Sequence, residues 1–275
     1  MASAGTPRVA ILGLGVMGRV FARRASGAGL DVIGWDRSSG TPPSQAVRAA
    51  DVVVTIVYDG AAVIDVMQDA LPAMKCGAVW LQMSTIGTQA TERTIELAAT
   101  RSDIGFLDAP VSGSQTVAER GQLVVFASGD SNALTAAKPF LDAVAGTVHW
   151  LGDAGQGTRV GLLFNAWIGI LIENIAEVAN LAQALGIAPR RFLDLVSDGQ
   201  LVSTWALDKF TKIVESRTDD VEVPLRLAHK NVMLALSASA DARPHLPILE
   251  RIAGVWAEIV QTHGGNDITA LYEHL

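Results

Sequence analysis

Gly13-Leu14-Gly15-Val16-Met17-Gly18 is a run whose glycines are spaced to receive a pyrophosphate. An apolar stretch, Val9 to Leu12, precedes it, a helix-compatible stretch from Arg19 to Ala28 follows, and Asp36 closes the next β-rich run, Asp31 to Trp35. A lone Gly-x-Gly-x-x-Gly says little, but strand, turn, helix and acid in this order make the dinucleotide-binding fingerprint. Gly13 allows the tight turn, Gly15 lets phosphates approach the backbone, and Gly18 permits close helix packing. The helix N-terminus adds unpaired N–H groups and the positive end of its dipole. Asp36 suits the ribose hydroxyls of NAD, whereas Arg37 and Ser38 suit the 2′-phosphate of NADP if Asp36 turns aside. The charge of the acid favours NAD, and both cofactors stay open.

Other chemistry-bearing residues fall at the ends of β-rich runs. Pro110-Val111-Ser112-Gly113-Ser114 reads as a strand end turning through a Ser-Gly pair, able to present a hydroxyl and backbone N–H groups to a small carboxylate. Thr85 lies just past the run Val79 to Met83, and Val57 and Tyr58 end the run Val52 to Val57. These are carboxyl ends, where open α/β sheets bind ligands. The five histidines are scattered and Cys76 has no companion at ligand spacing, so no metal site is expected. Cys76 itself is expected to be a small buried hydrophobe.

The elements that hold these residues follow from the pattern. Short β-rich runs at Val9 to Leu12, Val32 to Trp35, Val52 to Val57, Val79 to Met83, Gly105 to Leu107, Leu123 to Ala127 and Thr147 to Leu151 alternate with helical segments. This rhythm predicts an α/β Rossmann-type N-terminal domain with a mainly parallel sheet and helices on both faces. Between Asp36 and Asp51 there is room for about two helical turns and no strand, which should open the rim of the adenosine site. From Thr158 to Leu185 a helix of roughly 28 residues is predicted, stopped by Gly186 and Pro189. No strand pattern follows. The expected organisation is a dinucleotide-binding domain over 1–153 and an all-α domain over 154–275 for substrate and dimerisation, joined by the long helix.

Composition bounds the partners. With 275 residues, 49% hydrophobic, the chain can bury one large or two medium cores. A net charge of −7 argues against nucleic acid, and no basic cluster points to a membrane surface. The most apolar stretch, Val160 to Ile172, is shorter than a span and reads as a buried helix. A single cysteine and no basic-then-apolar leader before the glycine motif set the expected location as cytoplasmic. The long helix is apolar on several faces, which leads us to expect a homodimer or higher homo-oligomer.

Taken in order, Gly13 to Gly18, Ser84-Thr85-Ile86, Asp108 to Ser114, Gly155-x-Gly157 with Asn165, and Lys230 resemble the β-hydroxyacid dehydrogenase family over nearly the whole chain. This family includes 3-hydroxyisobutyrate dehydrogenases and tartronate semialdehyde reductases. The resemblance implies an NAD- or NADP-dependent oxidoreductase acting on a small carboxylate-bearing substrate. Ser112, Gly113 and Asn165 would hold that substrate, Thr85 would touch the nicotinamide ribose region, and Val57 and Tyr58 would line the cofactor. Lys230 would reach the cofactor.

Three positions depart from the family. Tyr58 stands where a proline is usual, and Asn231 replaces the aspartate that follows the family's counterpart of Lys230. Gly161 occupies the position of the catalytic lysine, four residues before Asn165 and on the same helix face. Arg159 is two residues away, roughly 200° round the helix, and Thr158, though on that face, is a poor proton donor. Glycine inside a helix costs about 1 kcal/mol against alanine, so its presence asks for a reason. Three readings stay open: a hydroxyacid dehydrogenase whose proton comes from water, Lys230 or Tyr58; an imine reductase-like enzyme, whose iminium substrate already carries its proton; and a cofactor-bound scaffold or disabled variant. The related imine reductases also lack the lysine but often carry aspartate or tyrosine there, which Gly161 does not match.

Overall fold

A computed structural model describes residues 6–200, 202–240, 242 and 244–275. In chain order the elements are β1 (Arg8–Leu12), α1 (Val16–Gly27), β2 (Asp31–Trp35), α2 (Pro43–Val47), β3 (Val52–Thr55), α3 (Gly60–Ala70), β4 (Val79–Gln82), α4 (Thr88–Ala99), β5 (Gly105–Asp108) and β6 (Val111–Ser112). There follow α5 (Gln115–Glu119), β7 (Leu123–Gly129), α6 (Ser131–Val144), β8 (Ala145–Trp150), α7 (Gln156–Ala184), α8 (Pro189–Val196), α9 (Thr204–Val214), α10 (Leu225–Ser239) and α11 (Pro247–His263). The chain divides into two compact units between Gly161 and Leu162.

The first unit is built on one sheet. β2, β1, β3, β4 and β5 lie side by side, all parallel. β7 then runs antiparallel to β5 and to the short β6, and parallel to β8. Residues alternate between faces along each strand, and the two faces build separate cores. Val9 and Ile11 of β1 join Phe21 of α1 and Phe140 of α6, while Ala10 and Leu12 join Val63 and Met67 of α3. The expected runs all form strands, but β3 stops at Thr55, so Val57 and Tyr58 belong to the turn before α3. The antiparallel pairing of β6 with β7 was not anticipated, because two residues are too few to show a period. The crossover after β2 contains only the five-residue α2, which leaves β2 at the sheet edge. Cys76 is exposed, not buried as its type suggested, since it stands in the Lys75-Cys76-Gly77 turn before β4.

The second unit comprises most of α7 with α8 to α11, and its described residues include no strand, only an isolated bridge between Pro224 and Asp267. Ile172, Ile175, Ala176 and Ala179 of α7 share a core with Phe210, Leu225, Val232 and Trp256. By length and composition α7 is apolar enough to cross a membrane. Its inner face is committed to this core, while Leu163, Trp167 and Leu181 are exposed on the helix and Leu185 is exposed just past its end.

Candidate active site

The turn after β1 has the form its glycines require. Gly13 has φ +117°, a conformation open to glycine, and a Cβ there would lie 2.2 Å from the Ile56 carbonyl oxygen. Its N–H donates to Trp35 O at 2.8 Å, tying the turn to the end of β2. A Cβ on Gly18 would stand 1.8 Å from Gly13 O, so both residues are demanded by the protein's own packing. Gly15 is different. Its φ is −67°, within reach of any residue, and a Cβ there would meet nothing within 4 Å. The missing side chain leaves an open cradle over the start of α1. No side chain caps that helix, and its first turn holds no acid. Unpaired amides and the dipole's positive end thus face the cradle, a fit for a pyrophosphate.

Beside it, Asp36 begins a compact turn. Its Oδ1 accepts from the Ser38 N–H at 2.8 Å and the Ser38 hydroxyl at 2.6 Å, while its own N–H donates to Ser39 Oγ at 2.9 Å. The Ser38 hydroxyl and N–H hold the carboxyl below its ordinary value of 3.8, so the group is an anion. Arg37 and Ser38 are exposed on the same turn.

The turns after β3 and β4 are locked together. The Val57 N–H donates to Ser84 Oγ at 2.9 Å, the Ser84 N–H donates to Gln82 Oε1 at 2.7 Å, and Gln82 Nε2 returns a bond to Ser84 O at 2.9 Å. Val57 and Tyr58 are thereby held next to the Ser84-Thr85 turn at the carboxyl ends of parallel strands. Tyr58 is 53% exposed and Thr85 half-buried.

After β5 the chain turns at Pro110 into β6, so Ser112 is a strand residue and Gly113, at φ +135°, makes the turn into α5. Ser114 caps α5 by accepting from the Val117 N–H. Gly161 of α7 packs directly against this segment, since a Cβ there would be 3.3 Å from Pro110 Cγ and 3.5 Å from Pro110 Cβ.

Sequence reasoning missed a buried polar cluster beneath this turn. Asp108 accepts the Thr158 N–H on Oδ2 at 2.7 Å and the Thr158 hydroxyl on Oδ1 at 2.8 Å. The Gly157 N–H donates to Ser128 Oγ at 2.9 Å, and Thr91 shares a bond of 2.9 Å with Thr158. Burial pushes the Asp108 carboxyl above its ordinary value, opposed by the bonds from Thr158 and Ser128. An acid at the end of a β-rich run, directly before the Ser-Gly turn, was the available signal.

In the second unit, Asn231 Nδ2 donates to Asn165 Oδ1 at 3.1 Å, joining α10 to α7. Among the described residues Asn231 Oδ1 is the buried side-chain polar atom without a partner. Lys230 is half-buried next to it, and the His229 ring contacts Ala253 O at 3.2 Å. Further along α7, buried Glu173 accepts from Trp256 Nε1 at 2.6 Å. No group of three or more His, Cys, Asp or Glu able to hold a metal occurs among the described residues.

Comparison with known proteins supplies two family matches. Residues 8–152 match the NAD binding domain of 6-phosphogluconate dehydrogenase, and residues 155–275 match the family described as NAD-binding of NADP-dependent 3-hydroxyisobutyrate dehydrogenase. Glyoxylate/succinic semialdehyde reductase 2, chloroplastic, of Arabidopsis thaliana is 27% identical over 98% of this chain and 80% of its own length. Cytokine-like nuclear factor N-PAC of Mus musculus is 26% identical over 96% of this chain, which spans 50% of that protein. Among solved structures, 3-hydroxyisobutyrate dehydrogenase of Mycobacterium tuberculosis with L-serine superimposes with a TM-score of 0.87 at 26% identity, covering 98% of both chains. An imine reductase from Pseudomonas sp. shares the fold, with a TM-score of 0.62 at 23% identity over 98% of this chain and 99% of that one.

Proposed function

The chain belongs to the β-hydroxyacid dehydrogenase family of NAD(P)-dependent oxidoreductases, and from that premise we propose that it transfers a hydride between the nicotinamide and a small 3-hydroxy acid or its semialdehyde. The observation that carries this reading is the Gly15 cradle, whose openness the protein's own packing does not require. Gly13 to Gly18 would hold the pyrophosphate and Asp36, Arg37 and Ser38 the adenosine ribose, with NAD favoured by the anionic Asp36. Val57, Tyr58, Thr85 and Lys230 complete the cofactor contacts. When bound, the nicotinamide supplies or accepts the hydride.

The chain's own residues bind and orient. Ser112 and Gly113 receive the substrate carboxylate, and Asn165, one helical turn beyond position 161 on the same face of α7, is a further substrate contact. Gly161 stands where the family keeps its lysine, so the alkoxide formed on reduction takes its proton from water, Tyr58 or Lys230. Exposed Leu163, Trp167, Leu181 and Leu185 pack against a second copy in a homo-oligomer, which sedimentation would measure.

Two features support other readings. Gly161 removes an ammonium that an iminium substrate would not need. The likeness to a protein named as a nuclear factor, not as a reductase, supports the non-catalytic reading. Purified protein assayed with NADH and NADPH against semialdehydes and cyclic imines separates the three. Carbonyl turnover is the expected result, imine turnover alone would sink the hydroxyacid reading, and cofactor binding without either activity would favour the scaffold.

A further inference from the structure

We propose that Asp108 is a positioning residue that clamps the carboxylate-binding turn, Ser112-Gly113, to the first turn of α7. Asp108 ends β5 and stands two residues before Pro110, so whatever fixes its carboxylate fixes the root of the turn. Both carboxylate oxygens are engaged by Thr158, one through the N–H and one through the hydroxyl. Because the Thr158 hydroxyl donates to Asp108, the bond between the two threonines is donated by Thr91, which ties α4 into the cluster. Ser128 of β7 accepts the Gly157 N–H, so two amides that the start of a helix leaves unpaired are capped by strands of the sheet.

The clamp needs close approach, and the chain provides it. A Cβ on Gly157 would lie 2.2 Å from Phe126 O and 2.7 Å from Asp108 O, so only glycine lets α7 begin so near β5 and β7. One turn on, Gly161 rests against the Pro110 ring. Asp108, Ser128, Thr91 and Thr158 are all at least 96% buried, with no place for solvent to substitute for a lost bond. An anion is also favoured at a helix N-terminus, and this helix runs 29 residues. Bond geometry and close packing therefore converge on one carboxyl group whose role is to hold two segments in register. Its side chain bonds to Thr158 and Ser128, which themselves belong to the start of α7 and the sheet.

The functional part of this inference rests on the proposed reaction, so the test has a readout that does not. Full-length Thr158→Val, which keeps side-chain shape, and Asp108→Asn are compared with Thr158→Ser, which keeps the hydroxyl. Hydrogen exchange of the amides at 157–161 should quicken at least tenfold in the first two and stay within twofold of the unaltered chain in Thr158→Ser, while β1 and α1 are unchanged. NADH affinity should hold within twofold throughout, and KM for a semialdehyde carboxylate should rise at least tenfold with kcat falling less than threefold. Unchanged exchange at 157–161 in Thr158→Val, or quickened exchange across the whole first unit, would overturn the proposal. If the unaltered chain turns over no substrate, the proposed reaction fails and the exchange comparison still decides the clamp.

Discussion

Asn231 on α10 gives its amide hydrogen to the side-chain oxygen of Asn165 on α7 across 3.1 Å, and its own oxygen is left buried without a partner. A neutral amide pair therefore joins these helices at a position where the family resemblance expects an acid. Restoring that acid with Asn231→Asp removes the donor and adds a charge to a buried site. Stability should fall by about 1–3 kcal/mol. Chemical denaturation measures this, and an unshifted midpoint would show that the amide hydrogen is dispensable.

Gly15 and Gly18 should respond oppositely to alanine. In Gly15→Ala the new methyl enters open space, so stability should change by less than about 1 kcal/mol, while NADH affinity drops at least about tenfold as the methyl fills the cradle. Gly18→Ala should instead lose fold stability, because its methyl meets Gly13 O. Melting curves with and without NADH separate the two effects.

For position 161 the expectation is a gain. Gly161→Lys should raise carbonyl reduction at least about tenfold, since a positioned acid is typically worth 10²- to 10⁴-fold. The Pro110 ring must yield by a few tenths of an ångström to admit the Cβ, and Gly161→Ala controls for that shift. Equal turnover in the lysine and alanine variants would mean that the ammonium contributes nothing at this position.

Cofactor preference should follow Asp36. In Asp36→Asn the amide oxygen still accepts from Ser38, so the turn persists without its charge. The NADH to NADPH ratio of kcat/KM should fall by about tenfold, or about 1.4 kcal/mol. No change in that ratio would show that another group selects the cofactor.

Burial, with a smaller contribution from Glu177, raises the pKa of Glu173 above 4.5. The folded chain then binds this proton more tightly than the unfolded chain, so the group's contribution is full below 4.5 and is lost as pH rises through the raised value. Glu173→Gln keeps an acceptor for Trp256 and removes the penalty. It should melt about 2–4 °C higher at a pH of about 8, a gain on the order of 1 kcal/mol, and show no advantage at a pH of about 4. A gain of equal size at both would contradict a raised pKa.

Local rules made much of the molecule legible. The strands β1, β3 and β4 announce themselves because buried parallel strands are short apolar runs, β2, β5, β7 and β8 because they too are short β-rich runs between helical segments, and α7 because Gly186 and Pro189 end a long periodic stretch. The glycines of the nucleotide turn were readable because their spacing falls within six residues, between a β-rich run and a helical one. Cys76 went astray because residue type says nothing of a turn at the surface.

By itself, then, the sequence determined the parallel core, the glycine turn after β1 and the long helix, all carried by spacing along the chain. Tertiary structure decided what depends on partners distant in sequence. Asp108 meets Thr158 across 50 positions, Asn165 meets Asn231 across 66, and Gly157 owes its identity to carbonyls of two strands. Only the packed chain shows that Gly13 and Gly18 are required by protein contacts whereas Gly15 leaves room for a ligand, because the absence of a side chain has a meaning only in the space around it.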